Sequence, residues 1–151
     1  MGTLVPGSDV RQLNFGYRAE KSTGTLASST VALFTVAGGR VALTSCYGIV
    51  TTAVTVANSY KLQFNPTTGT TVDLFAATDI GATDTPVGDI LTFTGDIGGA
   101  MLERGGAGEI LRAPIAMTIG QIESVSAGTD GVINWVVTWV PLDDGASLVA
   151  A

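Results

Sequence analysis

The stretch Gly131-Val132-Ile133-Asn134-Trp135-Val136-Val137-Thr138-Trp139-Val140-Pro141-Leu142 decides how this chain reads. Ile133, Trp135, Val137 and Trp139 recur at a spacing of two, and Asn134, Val136, Thr138 and Val140 alternate with them. Successive side chains of a strand point to opposite faces, so this spacing in β-branched and aromatic residues predicts a strand. Both faces are largely apolar, which predicts a central strand covered on both sides. Pro141 has no N–H to give a ladder and is expected to close it. Both tryptophans of the protein lie here, each able to bury roughly 200 Å².

Working outward, the same signals recur. Ser29–Val36, Val41–Cys46 and Tyr47–Ala57 read as strands, with Gly38-Gly39 as a hairpin turn between the first two and Gly48 as a bend. Ser59–Asn65 sets Tyr60, Leu62 and Phe64 against Lys61 and Gln63; Pro66–Gly69 turns it and Thr70–Phe75 returns. Asp89–Thr94 and Pro114–Val125 read as further strands, the second bent at Gly120, and Ser124–Leu142 as a terminal hairpin. Ala76–Gly88 and the Gly-rich 95–108 read as loops, and Asp143–Ala151 as an exit from the sheet. The predicted fold is all-β: an antiparallel β-sandwich or barrel of about 8 short strands with long Gly-rich loops. Residues 26–151 form the single β domain. Residues 1–25 form an N-terminal arm or edge segment, in which Leu13, Phe15 and Tyr17 alternate as a short edge strand would.

Composition narrows the function. Charged residues make up 13% of the 151 and mean hydropathy is +0.42, against roughly 25% charge in ordinary soluble domains. A small domain this poor in charge has trouble covering itself, and an oligomer or larger assembly supplies the cover. Val41–Asn58 is long enough to span a membrane, but its threonines, Gly48 and partial alternation favour strands. Met1–Gly7 lacks the basic and apolar regions of a signal peptide, so synthesis and release in a cytoplasm is expected. The net charge of −6 argues against a nucleic-acid partner.

Chemistry is hard to find. The sequence has no histidine, which removes the commonest general base and metal ligand, and Cys46 is its only cysteine. The Gly-rich 95–108 lacks the Gly-Lys-Ser/Thr ending of a phosphate loop. Asp79, Asp84 and Asp89 do not match a calcium-loop pattern. No catalytic, cofactor or metal residues are assigned, and the expectation is a non-enzymatic protein. The candidate partner-interface residues are Leu4, Val5, Leu13 and Phe15 on the arm, costly to leave in water, and Met101 and Leu102 on the Gly-rich loop.

The run Asn134-Trp135-Val136-Val137-Thr138-Trp139-Val140-Pro141-Leu142-Asp143-Asp144-Gly145-Ala146, in a small, acidic, Lys-poor, strand-rich chain, resembles the minor virion proteins of tailed bacteriophages, above all capsid decoration (head cement) proteins. The resemblance implies a structural virion protein on the capsid surface, often a homotrimer. It would bind the major capsid protein where capsomers meet and stabilise the shell. It implies no cofactor and no catalytic residue. Two other readings stand beside it: a tail or baseplate β-module of the same kind of virion, and a carbohydrate-binding β-sandwich. Exposed tryptophan or tyrosine on one sheet face would favour the last.

Overall fold

A computed structural model describes residue 2 and residues 4–93, 96–110 and 113–151, giving Phe93, Leu102 and Glu103 as backbone only. The chain opens with helix α1 (Gly7–Phe15) and strand β1 (Tyr17–Ser22). There follow β2 (Ser29–Ala37), β3 (Val41–Thr52), β4 (Asn58–Pro66), β5 (Val72–Asp73), β6 (Phe75–Ala76) and β7 (Thr78–Ile80). The second half holds β8 (Asp89–Phe93), β9 (Gly99–Gly105), β10 (Ile115–Met117), β11 (Gly120–Ser126), β12 (Val132–Pro141) and β13 (Ser147–Ala150). These strands build an antiparallel β-sandwich. One sheet runs β1-β12-β3-β8-β9-β6, with β10 also on β3; the other runs β13-β2-β11-β4-β5, with β7 also on β4. The pairing of β6 with β9 is parallel.

β12 is central, flanked by β3 along its whole length and by β1 from Asn134 to Trp139, and ends at Pro141. Ile133, Trp135, Val137 and Trp139 all point into the core. The indole of Trp135 crosses to the opposite sheet and stacks near-parallel on Tyr60 of β4, with ring centroids 6.3 Å apart. Its Nε1 donates to Tyr60 Oη at 2.8 Å, and Ser124 Oγ of β11 donates to the same oxygen at 2.9 Å. All three side chains are buried. Gly48 lies opposite Trp135 in the β3–β12 register. A Cβ there would come within 2.8 Å of Ile133 Cγ2 and 3.1 Å of the indole. Gly48 therefore makes room for Trp135, and β3 runs unbroken through it where the sequence suggested a bend.

Several expected hairpins are instead crossings between sheets. β2 and β3 belong to different sheets, so Gly38-Gly39 turns the chain over the end of the sandwich. Both take positive φ, and a Cβ on Gly38 would meet Gly145 O at 2.3 Å, because the β12–β13 connection packs against this turn. β11 and β12 are likewise in different sheets, and Ser124–Leu142 is no hairpin. Pro114–Val125 divides at Thr118–Ile119 into β10 in one sheet and β11 in the other. In each case both runs have an inward apolar face, and a face-to-face sandwich satisfies that pattern as well as an in-sheet hairpin. The β4–β5 turn does pair within one sheet, Phe64 facing Val72.

Four segments carry more structure than expected. Residues 95–108 include β9, antiparallel to β8. The 76–88 segment includes β7, on β4. The tail forms β13, on β2. The arm holds α1, and its strand begins at Tyr17, so Leu13 and Phe15 are helical. Among the described residues no helix is long and apolar enough to cross a membrane.

Candidate interaction surface

α1 reads Gly-Ser-Asp-Val-Arg-Gln-Leu-Asn-Phe. Pro6 precedes it and accepts the first N–H groups, from Asp9 and Val10; Asp9 places a negative charge in the positive first turn. Gly16, with φ of +91°, ends it by donating its N–H to Gln12 O at 2.8 Å. A Cβ on Gly16 would overlap the backbone carbonyl of Trp139, so the helix leaves β12 at the closest approach a chain can make.

The helix buries none of its residues. Leu4 is 94% exposed and Leu13 82%; Val5, Val10, Phe15 and Tyr17 are exposed as well. Val5, just before the helix, and Asp9, Gln12 and Leu13 within it line one shallow depression. All four arm residues singled out by the sequence are exposed, Leu4 and Val5 just before α1 and Leu13 and Phe15 within it, with Val5 and Leu13 on one depression and Phe15 on another. Met101 does not join them. It is 5% exposed and part of the core, because β9 pairs with β8 and turns it inward, so a docking role for Met101 is corrected. The Leu102 side chain lies outside the described residues.

Beneath α1 is a cleft of about 450 Å³. Ser8, Arg11 and Gln12 of the helix form one wall, and Ser45, Tyr47 and Thr138 from the outward face of β3 and β12 form its floor. The floor is shaped by a bulge: Thr138 pairs with Ser45 and Trp139 with Leu43, leaving Thr44 as the extra residue. Thr44 Oγ1 donates to the carbonyl of Phe15 at the end of α1. Thr138 Oγ1 lies 2.7 Å from Thr44 Oγ1 and 2.5 Å from Ser45 Oγ. Arg18 is paired with Glu20 at 2.7 Å, whereas Arg11 has no partner among the described residues. Sequence reasoning missed this hydroxyl cluster; the signal for it was Thr138 alternating with the tryptophans in a largely apolar strand.

The outward face of the other sheet differs in character. Glu123, 8% exposed, accepts from Gln63 Nε2 at 2.8 Å and Asn65 Nδ2 at 3.1 Å, and Lys61 pairs with Asp73 at 2.7 Å. That face satisfies itself. Elsewhere, Asp79 accepts from the backbone N–H of Asn58 at 2.8 Å, and no cluster of three or more possible ligands for a metal occurs among the described residues. Burial pushes the Cys46 thiol up to about 12, and Trp135 and Trp139 are both buried.

Comparison with protein-family models, with curated proteins and with solved structures finds no match to this chain.

Proposed function

We propose that this protein is a non-enzymatic structural subunit of a bacteriophage head, a decoration protein that sits on the outside of the capsid as an oligomer and stabilises contacts between capsomers of the major capsid protein. The observation that carries the reading is the set of uncovered apolar side chains between Leu4 and Phe15, in the segment leading into α1 and on α1 itself, which buries none of its own residues. Leaving them in water costs free energy that contact with another subunit recovers at about 25 cal/mol per Å² of apolar area. The low charge content and the phage-like terminal strand support the same reading. A homotrimer, with standard interfaces of roughly 1,600 Å² each, is the proposed form.

The test is co-sedimentation of the purified protein with phage heads that lack it, with tails as a second arm and light scattering for its solution mass. Saturable binding to heads by a protein of trimer mass is expected. Replacing Leu4 and Leu13 together by Asp should abolish binding while leaving the melting temperature unchanged, since neither side chain supports the fold. A monomer that ignores heads refutes the proposal, and binding to tails alone moves the protein to the tail. For the sugar-binding alternative the two tryptophans are buried and offer no face, whereas Tyr17 of β1 is 48% exposed, so a glycan panel with Tyr17→Ala as control forms a third arm of the test.

A further inference from the structure

We propose that α1 is a releasable strap, fastened to its own β domain at one end by a directional chain of hydroxyls and free to swing about Gly16. This inference stands on the geometry of α1 alone and does not depend on the virion reading.

The helix is weak by itself. Nine residues are fewer than an isolated helix needs in water. Pro6 offers no side-chain oxygen to the first turn, and no side chain of the helix is buried. Its hold on the domain is concentrated at the C-terminal end, where Gly16 packs on the carbonyl of Trp139 and Phe15 O accepts from Thr44. Among the described residues, this is the side-chain hydrogen bond that ties α1 to the sheet. Further toward the N-terminus, the cleft separates Ser8 and Arg11 from Tyr47.

The direction of the hydroxyl chain follows from proton counting. Phe15 O can only accept, so the single hydrogen of Thr44 Oγ1 is committed to it. Thr138 must then donate to Thr44 at 2.7 Å, and Ser45 to Thr138 at 2.5 Å. The fastening is thus Ser45 to Thr138 to Thr44 to the helix carbonyl, each member oriented by the next. Hydrogen bonds aligned in one direction polarise one another, so losing Thr138 weakens the end bond that holds the strap. Beyond Gly16 the chain is secure, because β1 pairs with β12 from Tyr17–Trp139 to Ser22–Asn134. Release therefore frees α1 without unzipping the sheet. It uncovers Ser45, Tyr47 and Thr138, and carries Val10, Leu13 and Phe15 to where they can lie on another surface.

Limited trypsin digestion followed by intact mass reads the strap directly. Cleavage after Arg11 in α1 should precede cleavage after Arg18 or Lys21 in β1, with tryptophan fluorescence unchanged. Amide hydrogens of residues 7–15 should exchange far faster than those of β12. Thr44→Val, which removes the donor to Phe15 outright, should raise the rate of the Arg11 cut about fivefold, the value of one hydrogen bond, while Thr30→Val, at an exposed position of β2, leaves it unchanged. Thr138→Val leaves that donor in place and removes only the neighbour that polarises it, so it should raise the rate by a smaller factor. An Arg11 site cut no faster than Arg18, or a cutting rate that neither threonine variant alters, overturns the strap.

Discussion

Replacing Tyr60 by Phe removes one oxygen atom from the centre of the sandwich and nothing else. The ring volume is kept, so no cavity forms and the stack with Trp135 survives. What changes is that two donors, Trp135 Nε1 at 2.8 Å and Ser124 Oγ at 2.9 Å, lose their acceptor. The Ser124 hydroxyl can rotate toward another acceptor, but the indole N–H is fixed in the plane of a ring with no exposed surface. A buried donor left without a partner costs about 1–3 kcal/mol, and with one fixed and one mobile donor orphaned we expect about 2.5 kcal/mol. For a chain of this length that lowers the melting temperature by about 5–10 °C. Equilibrium urea unfolding followed by tryptophan fluorescence should show a shifted midpoint with an unchanged slope. Ser124→Ala should cost less, about 1 kcal/mol, since the indole keeps its acceptor. The double variant should cost less than the sum of the two singles, because the pair share one oxygen. A Tyr60→Phe variant within about 0.5 kcal/mol of the parent, the range of an ordinary surface change, would refute the bridge as a structural element.

Gly48→Ala places a methyl 2.8 Å from Ile133 Cγ2 in a filled core, and should destabilise by about 1–3 kcal/mol in the same urea assay. Asp143 is held below the usual carboxylate range, first by the hydrogen bond from the Arg40 side chain, and Asp130 likewise by the Thr55 hydroxyl. A carboxylate whose folded pKa is depressed adds stability above its unfolded value of about 3.9 and loses it as pH falls through the folded value. Thermal melts should therefore fall off steeply below about pH 4, and less steeply in Asp143→Asn, which should also melt lower at neutral pH. Cys46, buried and with its thiol pushed up to about 12, should react with a thiol reagent only as fast as the protein opens, so its labelling rate should rise with urea in step with unfolding.

The sequence made the strands legible and their partners much less so. Period-two patterning located β12 and the stretches that became β2, β3 and β4, because alternation reports a buried face wherever that face is. It does not report which sheet supplies the cover. Gly38-Gly39 looks the same whether the chain turns back within a sheet or arches over the sandwich, and the deciding contact, the approach of Gly145 O, comes from a residue over a hundred positions away. Short pieces such as β7 and β13 carry too few residues to show a period. On the arm, Leu13, Phe15 and Tyr17 alternate as a strand would, but Gly16 intervenes with a positive φ that separates a helix from a strand. Exposure of Leu4, Val5, Leu13 and Phe15 was legible from the cost of an apolar arm with no visible partner. The inward turn of Met101 was not, since it depends on pairing between β8 and β9.

An all-β protein can associate by adding strands at a sheet edge or by burying a face or an arm. Here the edges are largely used within the chain. On one side β1 lies beside β13, with Lys21 Nζ donating to the carbonyl of Ala151 at 2.6 Å. On the other, residues 72–80 weave from the second sheet through β5, to the first through β6, and back through β7, so that no one of these edge pieces exceeds three residues. Short, stitched edges resist indiscriminate strand pairing. The outward face of the second sheet satisfies its own polar groups through Glu123, Gln63 and Asn65, which leaves a partner little to gain there. Other apolar side chains are exposed elsewhere, among them Val87 and Val149, but among the described residues Leu4 and Leu13 of the arm are the most exposed of them, at 94% and 82%. On the proposed reading the uncovered arm is the element through which the chain would associate, and a swing about Gly16 would set how far that arm reaches.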